Sequence, residues 1–326
     1  MPDVNLGQVA ATVWETVVGT KPSDNIFTSR ALFYLLGEKG FKEEVSGGRL
    51  FEMTLMYAEN TTFKSYAETE ELDTTRVDVF DAARYEQKIT AGTVVYSELE
   101  RLRNAAANRK FDVIAEKLEN GKESLIASMN RQCFSDGTGN GGKDVGGLQL
   151  LASTTPTTGS VGGINRGTYS FWRSRQTSGA QTSTAYDNLR SSMRSIFNQC
   201  SDAGVENAPT GAITTRTVHE GYVSLLDPSE RFAKDGKAAR GGDLGWNNNA
   251  ILFNGIPVVY DEDAPSGNLY FFNPKFLKFM YLAGGWMKMY PAVDPANQLS
   301  NVHKSATFGN MGTNNSRRIG VVSAIT

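Results

Sequence analysis

The feature that most constrains this chain is a pair of strand-forming segments with charged residues on both faces. They span residues 49–57 and 75–88, and a polar stretch over 58–74 separates them. A two-stranded hairpin of this kind has no apolar face with which to form a core of its own. We therefore predict an arm that projects from the body of the protein and is stabilised by a neighbour.

The polar stretch of this hairpin holds four acidic residues close together. They are Glu68, Glu70, Glu71 and Asp73. A charge cluster at a loop tip is usually a solvated face. The alternative is that these carboxylates meet a basic patch on an adjacent subunit, which would make them assembly contacts.

Helical periodicity precedes and follows the hairpin. Apolar residues recur every three to four positions over 4–18, and a more apolar helix is predicted over about 26–36. These two segments either form an arm that packs on another molecule or cover one side of the core. After the hairpin the chain is helical over 97–134, with a pause at about 104–108.

Asn120 and Gly121 interrupt the second and longer of these helices between Leu118 and Leu125. Glycine inside a helix costs about 1 kcal/mol relative to alanine. Either the glycine admits a closely approaching backbone, or it is a weak point at which the helix bends. Gly121 is therefore a candidate point of bending in this helix.

A glycine-rich loop at 136–144 follows the long helix. Residues 137–143 have the G-x-x-x-x-G-K spacing of a phosphate-binding loop, but Asp144 stands where that motif needs Ser or Thr. The loop also follows a helix, whereas a phosphate loop lies between a strand and a helix. A calcium loop fits no better, because Gly147 occupies the position of the bidentate glutamate. A nucleotide-binding enzyme is thus only a remote alternative.

The rest of the chain alternates helices and short strands, which predicts a mixed α+β fold. A helix is predicted at 185–203, with a capping box of Thr184 and Asp187 at its start and Gly204 at its end. The elements predicted after it are a strand at 212–214, a helix at about 216–226, and strands at about 250–260 and 269–272. The last segment, 289–326, is predicted to form strands, with apolar and polar residues alternating at 318–325.

No catalytic set is evident among the residues that usually carry chemistry. His219 has no carboxylate or cysteine at a metal-ligand spacing, and His303 is the only other histidine. Cys133 and Cys200 lie on apolar helix stripes and are predicted to be buried. We therefore predict a structural protein that is not an enzyme, with no catalytic, cofactor-binding or metal-binding residues and no cofactor.

Charge and hydropathy restrict the partners. The chain carries 33 Lys and Arg against 35 Asp and Glu, a net charge of −2, which argues against binding to nucleic acid through a large basic surface. The longest apolar run near the N-terminus, 31–36, is far shorter than the roughly 20 residues of a membrane span. We expect a soluble protein that is made in a cytoplasm and has no membrane partner.

Several short motifs stand in a recognisable order. The return strand of the hairpin carries Arg84-Tyr85-Glu86-Gln87-Lys88, the long helix ends in Phe134-Ser135-Asp136-Gly137-Thr138-Gly139, and Gly146-Gly147-Leu148, Val161-Gly162-Gly163-Ile164 and Phe171-Trp172-Arg173 follow. In this order the chain resembles the major capsid proteins of tailed double-stranded DNA bacteriophages. Their fold is named after phage Hong Kong 97 and is shared with encapsulin shells.

The resemblance implies a shell subunit of α+β class that assembles into the hexamers and pentamers of an icosahedral phage head. Its implied parts are an N-terminal arm at 1–47, an extended loop called the E-loop at 48–78, a peripheral domain at 79–144 with a spine helix at about 109–134, an axial domain at 145–288, and a C-terminal return to the peripheral domain at 289–326. An encapsulin-like compartment is the alternative with the same fold.

The resemblance also implies partners and a location. The chain would bind itself, a separate scaffolding protein, a portal and, in some such shells, a decoration protein, and it would enclose double-stranded DNA without reading its sequence. It would be assembled in the cytoplasm of a bacterial host and end in the virion. Some members cross-link an E-loop lysine to a neighbour's asparagine. Lys64 is the lysine at the hairpin tip, and the sequence suggests no asparagine partner for it.

Overall fold

The computed structural model describes residues 30–33, 41–104, 113–180, 186–202, 204–226 and 251–325. The predicted helix at 4–18 lies outside these residues, as does most of the one at 26–36. The residues of the predicted pause after Asn104 also lie outside them. In the described part, runs of strands and runs of helices make up a mixed α+β fold.

The described helices are α1 (Glu98–Asn104), α2 (Val113–Phe134), α3 (Leu148–Leu151), α4 (Leu189–Ser201) and α5 (Arg216–Leu225). The described strands are β1 (Lys42–Val45), β2 (Leu50–Met56), β3 (Phe80–Glu86), β4 (Lys88–Ser97), β5 (Ser160–Val161), β6 (Ile164–Asn165), β7 (Arg175–Ser178), β8 (Gly211–Thr214), β9 (Ile251–Phe253), β10 (Ile256–Tyr260), β11 (Leu269–Phe272), β12 (Leu277–Leu282), β13 (Lys288–Met289), β14 (Ser300–Thr313) and β15 (Gly320–Ser323). The predicted long helix corresponds to α2, and the predicted hairpin corresponds to β2 and β3.

One sheet has five strands and lies beneath the long helix. Its order is β1-β12-β14-β13, and β4 also pairs with β14. The β4–β14 ladder is antiparallel and runs from Lys88 opposite Gly309 to Ser97 opposite Ser300. The hydroxyl of Thr90 on β4 donates to Oε1 of Gln132 on α2 at 2.9 Å, which ties the helix to this ribbon.

The end of the predicted N-terminal arm belongs to this sheet. β1 pairs in parallel with β12, with Lys42 opposite Phe279. Just before it, Phe41 is buried, and its ring lies 5.5 Å from that of Phe272 in an edge-on arrangement. Burial of this aromatic ring explains why residues 41–45 follow the body of the protein instead of projecting from it.

A second sheet has six strands in the order β7-β15-β11-β8-β10-β9. Both of its faces are covered. On β11, Tyr270 and Phe272 face a core shared with α2 and the hairpin, whereas Leu269 and Phe271 face a core formed with α4 and α5. Strands covered on both sides are apolar at successive positions instead of alternating.

The predicted C-terminal return at 289–326 is therefore divided between the two sheets. β14 joins the five-stranded sheet, but β15 lies between β7 and β11 in the six-stranded sheet. The alternation of apolar and polar residues predicted at 318–325 is wrong, because both faces of β15 are covered. Val321 and Val322 point to opposite faces, and both are buried.

Two other predicted elements differ in their limits. The strand predicted at 250–260 is a hairpin, because Asn254 and Gly255 both have positive φ and form a two-residue turn between β9 and β10. α4 has Asn188 at its N-cap, so the predicted capping box is wrong: Asp187 precedes the cap, and Thr184 lies outside the described residues. At the other end of α4, Asp202 adopts the left-handed conformation and ends the helix before Gly204.

Among the described residues, no helix combines the length and the apolar character that crossing a bilayer requires. The longest helix, α2, carries charged side chains along its length, such as Glu119 and Lys122.

Candidate assembly interfaces

The hairpin loop over 57–79 projects beyond the last backbone contact between its two sides. That contact joins the N–H of Tyr57 to the carbonyl oxygen of Val79 at 3.1 Å. Farther out, local turns at Asn60 and Ala67 shape the loop. The projecting part is thus shorter than the predicted E-loop at 48–78, because β2 pairs with β3 and its Phe51 and Leu55 are buried in the body.

Tyr66 organises the tip of the hairpin loop. Its hydroxyl donates to the carbonyl oxygen of Thr62 at 2.8 Å and accepts the N–H of Asp73 at 3.1 Å. The ammonium group of Lys64 lies 5.2 Å from the centre of the Tyr66 ring. One aromatic side chain therefore connects both sides of the tip, which gives the loop a defined shape without sheet pairing.

Two of the four predicted acids stabilise the loop itself. The carboxylate of Glu70 accepts the N–H of Ala67 at 3.0 Å, and that of Asp73 accepts the N–H of Thr75 at 3.0 Å. Hydrogen bonds from Thr75, aided by the charge of Lys64, hold the pKa of the Asp73 carboxyl below its ordinary value. These two carboxylates are already engaged within the chain.

The other two acids point away from the protein. Glu68 and Glu71 are exposed, and neither has a hydrogen-bond or ion-pair partner among the described residues. A partner for these carboxylates therefore has to come from solvent or from another molecule. The sequence placed all four acids in one cluster, and only the tertiary structure divides them by role.

The loop and its flanking strand ends also expose large apolar side chains. Phe63 is 86% exposed, and Met56, Leu72 and Phe80 are each 69% exposed. Met56 and Phe80 lie opposite each other in the β2–β3 ladder, and adjoining exposed apolar side chains mark a site of association. The sequence does not reveal these residues, because the exposure of an apolar side chain depends on the fold and not on its neighbours in the chain.

A second exposed apolar surface surrounds β4, α1 and the segment that leads into β14. Its exposed residues are Ile89, Val95, Leu99, Leu102, Met289, Val293 and Leu299. Val95 and Val293 are both paired with Val302 of β14, which joins these two parts of the surface. The sequence analysis missed this surface as well, since its residues come from segments far apart in the chain.

Gly162 anchors the base of the hairpin to the body. Its carbonyl oxygen accepts the N–H of Arg84 at 2.9 Å, and its φ is +59°. A Cβ placed on Gly162 would lie 2.9 Å from the Cβ of Ala83 and 3.2 Å from the ring of Tyr85. Only glycine combines this backbone conformation with such close packing. The ring of Tyr57 adds a contact with Phe171 at 5.7 Å.

Gly121 lies where α2 crosses β4. A Cβ on this residue would overlap Cγ2 of Val94, and α2 is continuous from Val113 to Phe134. The glycine thus accommodates a close approach, although the approaching group is a side chain and not a backbone. Bending of α2 at this point remains a prediction.

The glycine-rich loop uses its acids internally. Asp136 accepts the N–H and the hydroxyl of Thr138 at 3.0 and 2.7 Å, and these hydrogen bonds lower the pKa of its carboxyl. Asp144 accepts the side-chain amide of Asn140 at 2.7 Å. Within the described ranges, no three His, Cys, Asp or Glu side chains converge as a metal site would require.

The cysteines and His219 have structural environments. Cys133 and Cys200 are fully buried, as predicted, and burial raises the pKa of each thiol to about 12. The ring of His219 lies 5.4 Å from that of Tyr260, and burial lowers its pKa. A thiol protonated near neutral pH is a poor nucleophile.

Comparison with solved structures identifies the architecture. The capsid subunit of cyanophage A-1(L) superposes with a TM-score of 0.72 at 16% identity, covering 96% of this chain and 97% of the other. The capsid of a native GTA particle gives a TM-score of 0.64 at 14% identity, covering 99% and 100%. The SrpI encapsulin of Synechococcus elongatus gives 0.60 at 12% identity, covering 97% and 95%.

No protein-family model matches the chain, and no curated protein sequence matches it significantly. At 12–16% identity, the structural likeness establishes a common fold and no more. It extends over nearly the whole chain, and it confirms the fold class predicted from the sequence.

Proposed function

We propose that this chain, which has the Hong Kong 97-type capsid fold, is the major capsid subunit of a tailed phage. It would assemble into the hexamers and pentamers of an icosahedral head that encloses double-stranded DNA without reading its sequence. The observation that carries the proposal is the whole-chain match to capsid subunits, of which the highest TM-score cited is 0.72.

The surface of the isolated subunit supports self-association. The hairpin loop presents Phe63 and Leu72 to solvent, and the surface around β4 presents Leu299 at 87% exposure. Burial of apolar area stabilises an assembly by roughly 25 cal/mol per Å². Two such surfaces on one subunit, at different places in the fold, allow heterologous contacts that close into a shell.

The role we propose is structural and not enzymatic. Groups that could carry chemistry instead support the fold: Asp136 and Asp144 hold their own loop, and Cys133 and Cys200 lie in the two cores. A net charge of −2 is consistent with a subunit that encloses a genome without gripping it.

We also propose the finer partners that a phage head requires. These are a separate scaffolding protein, a portal and, in some such heads, a decoration protein. Assembly would take place in the cytoplasm of the bacterial host, and the mature chain would reside in the virion. Co-expression with candidate scaffold proteins, followed by sedimentation of the particles, tests the first of these partners.

The central test is imaging of the purified protein by negative-stain electron microscopy. Closed particles, formed alone or with a scaffold, support the proposal. A protein that remains a monomer under every condition contradicts it. Particles that enclose an enzyme instead of nuclease-protected DNA would assign the chain to the encapsulin-like alternative.

A further inference from the structure

Buried polar atoms without a hydrogen-bond partner concentrate at one place in the described chain. Five of the seven such atoms belong to residues 174–175 and 314–318. They are Ser174 Oγ, Arg175 Nε, Asn314 Oδ1, Ser316 Oγ and Arg318 Nε. The two segments adjoin, because the N–H of Arg175 donates to the carbonyl oxygen of Ile319 at 3.0 Å. Buried polar groups are almost always satisfied in native proteins, so this concentration distinguishes the place from the rest of the described chain.

The same place has an excess of positive charge. Three guanidinium groups surround the single carboxylate of Asp202: Arg175 at 3.9 Å, Arg317 at 3.7 Å and Arg318 at 3.6 Å. Three positive charges against one negative charge leave two uncompensated. We call Arg175, Arg317 and Arg318 the arginine cluster.

The arginine cluster is held in place and is open to a partner. Arg318 donates from Nη1 to the carbonyl oxygen of Cys200 at 3.0 Å, which positions its head against the end of α4. The side chain of Arg317 is 44% exposed and that of Arg175 is 28% exposed. Guanidinium groups fixed in this way bind a carboxylate through paired hydrogen bonds with little loss of side-chain entropy.

The partner is suggested by the hairpin loop. Three loop acids have no partner in the described chain: Glu59 near the base of the loop, and Glu68 and Glu71 near its tip. The ion pairs of the arginine cluster do not include Glu68 or Glu71. These two carboxylates at the tip are complementary in charge to the cluster. Since the contact is not made within one chain, it would be made between copies.

We infer that the arginine cluster is the docking site for Glu68 and Glu71 of a neighbouring copy of this chain. This inference rests on the proposed function, since it assumes that copies assemble. It identifies the basic patch that the acidic loop meets.

Charge reversal tests the contact from both sides. The loop variant carries Glu68→Lys and Glu71→Lys. The cluster variant carries Arg317→Glu together with Arg175→Glu, which changes the net charge of the arginine cluster and Asp202 from +2 to −2, and a third variant combines all four changes. Arg175 and Arg317 are chosen because, among the described residues, their charged heads pair with Asp202 alone and both side chains are partly exposed. We expect each reversal to lower the yield of closed particles about tenfold and the combined variant to recover most of that yield.

Matched controls separate this contact from a general effect of charge. Asp78→Lys changes the charge on the same loop at a side chain that is 78% exposed. Arg216→Glu changes it on α5, far from the cluster in sequence, at a side chain that is 64% exposed. We expect both controls to stay within about twofold of the wild-type yield. Thermal unfolding of the unassembled variants shows that each one folds.

The outcomes distinguish this inference from the proposed function. If the wild type forms shells and the combined variant is no better than the single reversals, the inference is wrong and the proposed function stands. If the wild type never forms shells, the proposed function fails first. If inorganic phosphate stabilises the wild type but not the cluster variant, while the loop variant assembles normally, the cluster is a phosphate site and the inference is overturned.

Discussion

The side-chain amide of Asn130 donates to Oδ1 of Asp261 at 3.0 Å, and both side chains are fully buried. The same amide reaches Asp263 Oδ2 at 2.7 Å. The N–H of Leu32 donates to Asp261 at 3.1 Å, and that of Phe33 donates to Asn130 at 3.2 Å. One network thus joins the N-terminal segment, α2 and the turn after β10.

Removal of Asn130 should break this network. Asn130→Ala removes one donor from the buried carboxylate of Asp261, which keeps the N–H groups of Leu32 and Asp263, and leaves the N–H of Phe33 without its partner. We expect the free energy of unfolding to fall by about 1–3 kcal/mol. Denaturant titration of the unassembled protein measures this change. Asn120→Ala, at an exposed position of the same helix, is the control and should change the free energy by less than about 0.5 kcal/mol. Equal effects of the two substitutions would contradict the stabilising role of the Asn130 network.

The pH dependence of stability should carry a signature of Asp261. Burial raises the pKa of the Asp261 carboxyl above its ordinary 3.8, and the negative charge of Asp263 acts in the same direction. The hydrogen bonds that Asp261 accepts lower the pKa, but by less. The folded state therefore binds the proton more tightly than the unfolded state, and this contribution to stability is lost as the pH rises above 3.8.

Asp261→Asn isolates that contribution from those of other groups. We expect the unfolding free energy of the wild type, minus that of the variant, to decrease as the pH is raised from about 4 to 7. Denaturant titrations at several pH values measure it. A difference that increases over this range would mean that hydrogen bonds to the carboxylate outweigh its burial.

Tyr85 should hold the hairpin to the five-stranded sheet through its hydroxyl. That group donates to the carbonyl oxygen of Thr313 at 2.7 Å and accepts the N–H of the same residue at 3.0 Å. Tyr85→Phe leaves both buried backbone groups unpaired, which should cost about 1–3 kcal/mol of unfolding free energy. Tyr66→Phe removes a hydroxyl from the exposed loop tip and should cost much less. A neutral Tyr85→Phe variant would show that other groups satisfy Thr313.

Gly121→Ala should be destabilising even though alanine favours a helix by about 1 kcal/mol. The added methyl group overlaps Val94, and overpacking in a close contact typically costs about 1–3 kcal/mol. In a double-mutant cycle with Val94→Ala, the two changes should couple favourably by at least about 1 kcal/mol. Additive effects would mean that β4 does not restrict the helix here. Milder expansion conditions for Gly121→Ala shells would revive the prediction that α2 bends.

The exposed apolar residues of the loop should matter for assembly and not for folding. We expect Phe63→Ser with Leu72→Ser to leave the melting temperature of the unassembled subunit unchanged and to lower the yield of particles. Leu55→Ala is the contrasting control, because this side chain is buried and its truncation should cost about 2–5 kcal/mol. If the loop variant unfolds like the control, the loop packs on its own subunit.

The sequence alone determined those features that depend on short-range pattern. The period of apolar residues predicted α2 and α4, and the two charged strand segments predicted the β2–β3 hairpin. The motifs after Phe134 stood in the order typical of a capsid fold, which the comparison with solved structures confirms. The period of apolar residues is visible in the sequence where only one face of a helix or strand packs on a core.

Only the tertiary structure decided which residues meet across the fold. Arg175 and Arg317 lie far apart in the sequence, yet their guanidinium groups lie 3.9 and 3.7 Å from the carboxylate of Asp202. β15 was expected in the same domain as β14 but pairs with β7 and β11 in the other sheet. Burial on both faces removed the alternation that a half-buried strand would show. Such contacts depend on the path of the whole chain. The packing of the two cores decides which distant segments pair, and the periodicity within each segment does not reveal its partner.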